Sequence, residues 1–363
     1  MHDLLCALCS APFATLEYTG PPEFDDSDTA LSLGEGYDSY QRWSSLSANK
    51  WLKHLRAIGV NSALTGAKRC YISGIGSNTD SSSICVEPGD HPNAPASVGG
   101  SNDPVNLDAY CCWKSTRNGK GVLPVHVNCL DILKMVFQQE GLDLDADILY
   151  ESFRNALLTD SFGNQFDDSY FDFDIVSDYN DMVTFVPQLE ESEVGPFVSD
   201  PVDICGLKEY LENPPMIKAH GSAPSRPAEC ASRAQDPFAS LPCELLLMIM
   251  LLIPKDSLQP FSLASPVARS IWLPNTFFRA RLAVDMPWAW EVIEGPLFER
   301  TDVDWRRVYT HLRKEADREW TDDMPGLANR RRIWDICVWG KAATTYRRLV
   351  AKAEKTASAT NAA

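Results

Sequence analysis

Residues 236–282 read DPFASLPCELLLMIMLLIPKDSLQPFSLASPVARSIWLPNTFFRARL, and the apolar run from Leu245 to Ile253 decides how the chain must fold. Pro242 fits a first helical turn, where its missing N–H costs nothing and its fixed φ helps. Ser240 is a candidate cap, although Glu244 lies one residue beyond the usual capping-box partner. Pro254 stops the helix at Ile253. A second helix is expected to start around Lys255-Asp256-Ser257, with Leu258, Phe261 and Leu263 as its apolar positions. Arg269 to Leu282 reads as a third helical region, interrupted or restarted at Pro274. Three helices this short cannot hide a segment that is apolar around almost its whole circumference. One side can face the local bundle; the other must meet the rest of the chain or a partner. Periodicity alone leaves a core helix and a docking helix both open.

The same residues carry a resemblance. Leu241-Pro242-x-Glu244-Leu245, Ile249, the Leu263-Ala264-Ser265 step with Arg269, and Trp272 before Phe277-Phe278 look like an F-box. The wider chain resembles the fungal F-box domain proteins, through Tyr71-Ile72-Ser73-Gly74, Pro287-Trp288, Asp304-Trp305 and Asn329-Arg330-Arg331-Arg332-Ile333-Trp334. The resemblance implies docking on the adaptor Skp1, and through it on a cullin–RING ubiquitin ligase, with recruitment of an unknown protein substrate. It would place Leu241, Pro242, Leu245, Ile249 and Leu263 against the adaptor, with Pro254 and Pro260 keeping the inter-helix turns short.

Composition narrows the alternatives. The 363 residues are 44% hydrophobic and 23% charged, which gives room for two or three globular domains. The net charge of −17 is uneven: residues 1–235 carry 34 acidic and 15 basic side chains, while residues 236–363 carry 16 and 18. An acidic front half disfavours nucleic-acid binding, which rests on cationic contacts with phosphate. No apolar run approaches the roughly eighteen residues needed to span a bilayer, so no membrane partner is expected. MHDLLCALC lacks a basic n-region and does not read as a secretory signal; cytoplasm or nucleus is the expected location.

The 11 cysteines are odd in number and scattered, which favours free thiols and a metal site over a disulfide framework. Cys6-x-x-Cys9 has knuckle or redox-pair spacing, and His126-Val127-Asn128-Cys129 offers a second pair. Together they can close a tetrahedral Cys3His centre holding one structural zinc ion. Unremarkable buried thiols are the competing explanation. A redox pair would sit before a helix, and Ala11-Pro12 leaves little helix there. The resemblance also implies this pairing, although relatives often carry an aromatic where this chain has Leu130. Cys111 and Cys112 are spare candidates.

Elsewhere, Asn49–Ile58 reads as an amphipathic helix and residues 69–76 as a short strand entering a glycine turn. Gly74-x-Gly76 lacks the third glycine and helix of a dinucleotide fingerprint. Residues 77–106 read as mobile surface, Cys129–Gln139 and Asp145–Leu158 as helices, and Val202–Leu211 as a smaller one. The acids and aromatics of residues 160–193 read as solvated carboxylates beside partly buried rings. Trp288 and Trp290 would share a face on a strand, or anchor against the F-box from a loop or helix. Asp304 is a candidate cap for a helix turning Trp305, Val308, Tyr309 and Leu312 inward. Ile333, Trp334, Cys337 and Val338 should pack inward, the three arginines should form internal salt bridges or solvated surface, and the end beyond Thr356 should fray.

The expected fold is α+β and mainly helical. It comprises a mixed acidic N-terminal domain over 1–212 with a candidate structural zinc site, a flexible linker over 213–235, a three-helix F-box over 236–282 and a helical C-terminal region over 283–356. The expected function is a non-enzymatic F-box substrate receptor of a Skp1–cullin–RING ligase. A scaffold whose helical module packs internally, and a metallo-hydrolase using His126 with acids from 167–181, are the alternatives.

Overall fold

A computed structural model describes residues 6–9, 11, 13, 47–79, 83–94, 104–108, 122–158, 199–217, 236–317 and 323–361. Its strands are β1 (Leu55–Val60), β2 (Cys70–Ile72), β3 (Gly76–Asn78), β4 (Ser83–Val86), β5 (Val105–Asp108) and β6 (Leu123–His126). Its helices are α1 (Val127–Gln139), α2 (Ala146–Leu158), α3 (Leu207–Glu212), α4 (Cys243–Leu252), α5 (Lys255–Ala264), α6 (Pro266–Ser270), α7 (Asn275–Asp285), α8 (Trp290–Ile293), α9 (Trp305–Ala316), α10 (Pro325–Trp339) and α11 (Lys341–Asn361). They form two compact units: Met1–Ile204 with Trp320–Ala363, and Cys205–Glu319.

In the first unit β1 is central, and Leu55, Ala57 and Ile58 are buried on its two faces. It pairs antiparallel with β6 along one edge (Leu55↔His126 to Ile58↔Leu123) and with β2 and then β3 along the other (Val60↔Cys70, Leu55↔Gly76). Between β2 and β3 the chain bends at Ile75, and Ser73 before it clasps β1, its N donating to Ala57 O at 2.9 Å and its Oγ accepting from Ala57 N at 2.8 Å. Gly76 lets the backbones close up, since a Cβ there would lie 2.2 Å from the Cys85 carbonyl oxygen. With β4 and β5 added beyond β3, the sheet curls into a half-barrel.

The helices of this unit cover the sheet. Helix α1 turns Leu130, Leu133, Val136 and Phe137 inward, as its spacing predicts. Asp145 caps α2 by accepting from Asp147 N and Ile148 N, and Asp147 covers the edge of β2 by accepting from Arg69 N and Cys70 N. Helix α11 is locked by Tyr346, which donates to Asp143 O at 2.6 Å, accepts from Asp145 N and stacks on Phe137 at 4.4 Å. Arg347 adds a bidentate pair with Glu140, both contacts at 2.6 Å.

In the second unit α4 buries only Leu246 and Met250. Its C-terminal carbonyls are capped from α7 by Arg281, whose Nη1 donates to Met250 O, Leu251 O and Ile253 O at 3.3, 2.9 and 2.7 Å. Arg281 Nε pairs with Asp285 at 2.7 Å in a buried ion pair, and the Tyr309 hydroxyl of α9 donates to the same carboxylate. Asp236 and Ser265 together cap α6. Asp304 caps α9 through Arg307 N, and Trp305, Val308, Tyr309 and Leu312 face inward as expected.

Several sequence expectations are corrected. Asn49–Ile58 is not a helix: a 3-10 turn over Ser47–Lys53 buries Trp51 and Leu52, and β1 follows, because pairing on both edges outweighs local spacing. Residues 77–106 contain β4 and β5 rather than surface loop alone, with Ile84 and Val86 buried. Pro242 takes the N-cap position of α4, and no side chain, Ser240 included, caps that end. Pro260 lies inside α5 instead of in a turn, on an exposed position. Trp288 is buried at the turn before α8, not on a strand. Helix α11 continues past Thr356 to Asn361. The two units also cut the chain away from the compositional boundaries: residues 290–316 belong with the helical unit, whereas 325–361 belong with the sheet. The acid–aromatic stretch 160–193, Cys111, Cys112 and residues 218–235 of the linker lie outside the described residues. Among the described residues no helix is long and apolar enough to cross a membrane.

Replacing Arg281 by Met leaves Asp285 buried without its cation and should cost about 3–5 kcal/mol in urea unfolding of the full chain. The loss should be smaller when Asp285→Asn is added. An unchanged midpoint for the single variant would contradict the clamp.

Candidate metal centre

The first ligand pair comes from a tight N-terminal turn. Cys6 N donates to Ala11 O at 3.0 Å, closing the turn, and Ala7 N donates to Pro124 O at 2.9 Å, joining it to the edge of β6. The second pair comes from the β6–α1 junction. His126 ends β6 and is also the N-cap of α1, with φ −58° and ψ 141°, so strand passes directly to helix. Cys129 falls in the first turn of α1.

These elements bring Cys6, Cys9, His126 and Cys129 together, fully buried, with one donor atom from each inside a 4.8 Å span. Cys9 Sγ lies 3.4 Å and Cys129 Sγ 4.0 Å from His126 Nδ1. Tetrahedral coordination with metal–sulfur bonds of about 2.3 Å and metal–nitrogen bonds of about 2.0 Å requires ligand–ligand edges of roughly 3.5–3.8 Å. The cluster is therefore already near the required size and is able to hold a metal ion. Nδ1 is the nitrogen that faces the sulfurs. Nε2 is buried and has no hydrogen-bond partner among the described residues. The imidazole is wedged between Phe13 and Trp51, at centroid distances of 4.2 and 4.8 Å, which fixes its plane.

Electrostatics fits a metal better than four neutral groups. Burial, above all, pushes the Cys6 and Cys129 thiols well up. Burial acts the same way on Cys9, but hydrogen bonds from Cys129 and Cys6 and the neighbouring His126 outweigh it and hold Cys9 well below the usual thiol range. One thiolate is thus stabilised by its neighbours, and a cation is needed to ionise the other two. The backbone supplies support for sulfur charge, since His126 N donates to Cys6 Sγ at 3.3 Å.

Two residues beside the centre were not tied to it by the sequence reading, although Cys337 was expected to pack inward. Arg332 of α10 donates from Nη1 to Cys9 O at 2.9 Å. Cys337, one turn further along, is a buried thiol raised by desolvation first and then by the charges of Cys9 and Cys6. The arginine segment is mostly internal: Asn329 and Arg330 are fully buried and donate to the carbonyls of Ser199, Pro201 and Val202, while Arg331 pairs with Asp335 at 3.8 Å. Only a helical-period reading that allowed arginine on the inner face would have found them.

The residues expected at an adaptor surface all lie in the helical unit. Pro242, Leu245 and Leu263 are exposed, and Leu241 and Ile249 are half-buried. No family model, curated protein or solved structure matches this chain, so the metal centre stands on its geometry.

Cobalt(II) should fill one site per chain and give the absorption of a tetrahedral thiolate complex, which Cys9→Ser should abolish. Because burial pushes the Cys6 and Cys129 thiols up, metal loading has to expel a proton from each. Apparent affinity should rise about 100-fold per pH unit near neutrality and fall correspondingly on acidification. A pale six-coordinate spectrum, or affinity indifferent to pH, would contradict the site.

Proposed function

We propose that this chain is a non-enzymatic F-box substrate receptor: its helical unit docks on Skp1, and its sheet unit is stapled by one structural zinc ion. The observation that carries the reading is the bare apolar surface of α4 and α5. Leu245 is 46% exposed, Met248 57%, Leu252 84% and Leu263 64%. Covering a large apolar side chain is worth roughly 1.5–3 kcal/mol, so such a surface favours a partner that removes it from water. The adaptor is named by the resemblance of Leu241-Pro242-x-Glu244-Leu245 and its neighbours to an F-box. Cullin–RING attachment and recruitment of an unknown protein substrate follow from that resemblance.

Zinc is favoured by three soft thiolates and an imidazole, a donor set ill suited to calcium or magnesium. Four buried protein ligands complete a tetrahedral shell and leave no position for water or substrate, which supports a structural role over a metallo-hydrolase. The acids 167–181 invoked for hydrolysis lie outside the described residues.

A scaffold without ligase function is the second reading. It is favoured by the way Leu246, Met250 and the Arg281 clamp seat α4 within its own unit, whether or not a partner is bound.

Purified full-length protein mixed with Skp1 should elute as a stoichiometric complex. The Leu241→Ala/Pro242→Ala variant should weaken it by at least about 30-fold, the scale of a hot-spot loss near 2 kcal/mol. Failure of the unaltered chain to form any complex would replace the receptor reading with the scaffold one.

A further inference from the structure

We propose that Arg332 is an outer-shell residue of the metal centre, and that metal loading latches α10 onto the N-terminal turn within the sheet unit. The inference rests on the structural-zinc reading and extends it to the distant C-terminal helix.

A divalent ion with three thiolates and one neutral imidazole carries one net negative charge. All four ligands are fully buried, so that charge needs a cation nearby. Arg332 meets the need from the side of Cys9, with Nη1 on the Cys9 carbonyl oxygen at 2.9 Å. The contact spans 323 positions of sequence, so only tertiary structure brings it about. The other arms of the guanidinium are held: Nε and Nη2 donate to Asn329 Oδ1 at 3.2 and 2.8 Å. Asn329 Nδ2 in turn donates to Ser199 O at 2.8 Å, and Arg330 grips Pro201 O and Val202 O. One helical turn therefore links the Cys6–Cys9 knuckle to the chain segment at 199–202.

The opposite ligand pair meets the same helix. Helix α10 packs on α1, whose first turn carries Cys129, and buries Ile333, Trp334 and Cys337. It thus abuts both halves of the ligand set. Without a metal the N-terminal turn keeps two backbone hydrogen bonds, Cys6 N to Ala11 O and Ala7 N to Pro124 O, among the described residues. The burial of Ala7, Leu8, Ala11 and Phe13 is what else holds this short segment, and when the turn shifts Arg332 loses the Cys9 carbonyl. Helix α11 has its own anchors on the sheet side, Tyr346 and the Arg347–Glu140 pair, although Arg347 also donates to the Cys337 and Val338 carbonyls at the end of α10.

Amide hydrogen exchange on the full chain, with zinc and after chelation, tests the latch. Chelation should speed exchange at residues 6–9 and 123–130, and also across 325–337, while 341–350 stays protected. In zinc competition against a chromogenic chelator, Arg332→Met should weaken binding about 10- to 100-fold, the usual cost of losing an outer-shell partner. Arg332→Lys, which keeps charge but not the fork, should fall between. Arg331→Met, one position along, should bind as the unaltered chain does. Unchanged exchange across 325–337 after chelation, or wild-type zinc affinity in Arg332→Met, overturns the latch while leaving the zinc intact. A wild-type chain that binds no zinc overturns the latch and the zinc reading together. The exchange experiment on the unaltered chain decides the matter even if Arg332→Met does not fold.

Discussion

Three thiols and an imidazole lie fully buried within a 4.8 Å span. The low-dielectric surroundings oppose ionisation, while mutual hydrogen bonding favours one thiolate at Cys9. A bound cation resolves the conflict by exchanging protons for coordination bonds. Much of the sheet unit is arranged around this requirement. The N-terminal turn is tied to β6, β6 runs straight into α1, and Phe13 and Trp51 fix the imidazole plane. Closing the loop between Cys9 and His126 with a metal gives a small sheet, otherwise made of short strands, a rigid corner.

The helical unit obeys a different constraint. Helix α4 is apolar on nearly every side, yet only Leu246 and Met250 are fully buried in it. A helix so partly covered needs other means of holding its place, and the Arg281–Asp285–Tyr309 cluster supplies them at its C-terminal end. Such a buried ion pair contributes more to a fixed geometry than to net stability. A rigid, greasy helix with a bare side suits a docking element, which would lose less conformational freedom on binding than a mobile one.

Legibility from sequence followed the range of the forces involved. The cluster of Cys6, Cys9, His126 and Cys129 was readable because the two-residue gap within each pair is a local signal, although the meeting of the two pairs is not. The Pro254 stop, the Asp304 cap and the inner faces of α1 and α9 were readable for the same reason. Strand β1 was not: Leu55 and Ile58 stand three apart, which mimics a helix, and its strand state comes from partners at β2, β3 and β6. Strands β4 and β5 were hidden by being four residues long within polar sequence. The inner role of Asn329, Arg330 and Arg332 was hard to read because each also reaches a backbone carbonyl far away in the chain, whose identity no side-chain pattern records.

The central claim is that these four side chains form a complete coordination shell. X-ray absorption at the zinc edge on protein purified without chelator tests it most directly. The account predicts three sulfur neighbours at about 2.3 Å and one nitrogen at about 2.0 Å, with imidazole outer-shell scattering. An oxygen neighbour in place of a sulfur, or a chain that carries no zinc and holds a Cys6–Cys9 disulfide, would contradict it.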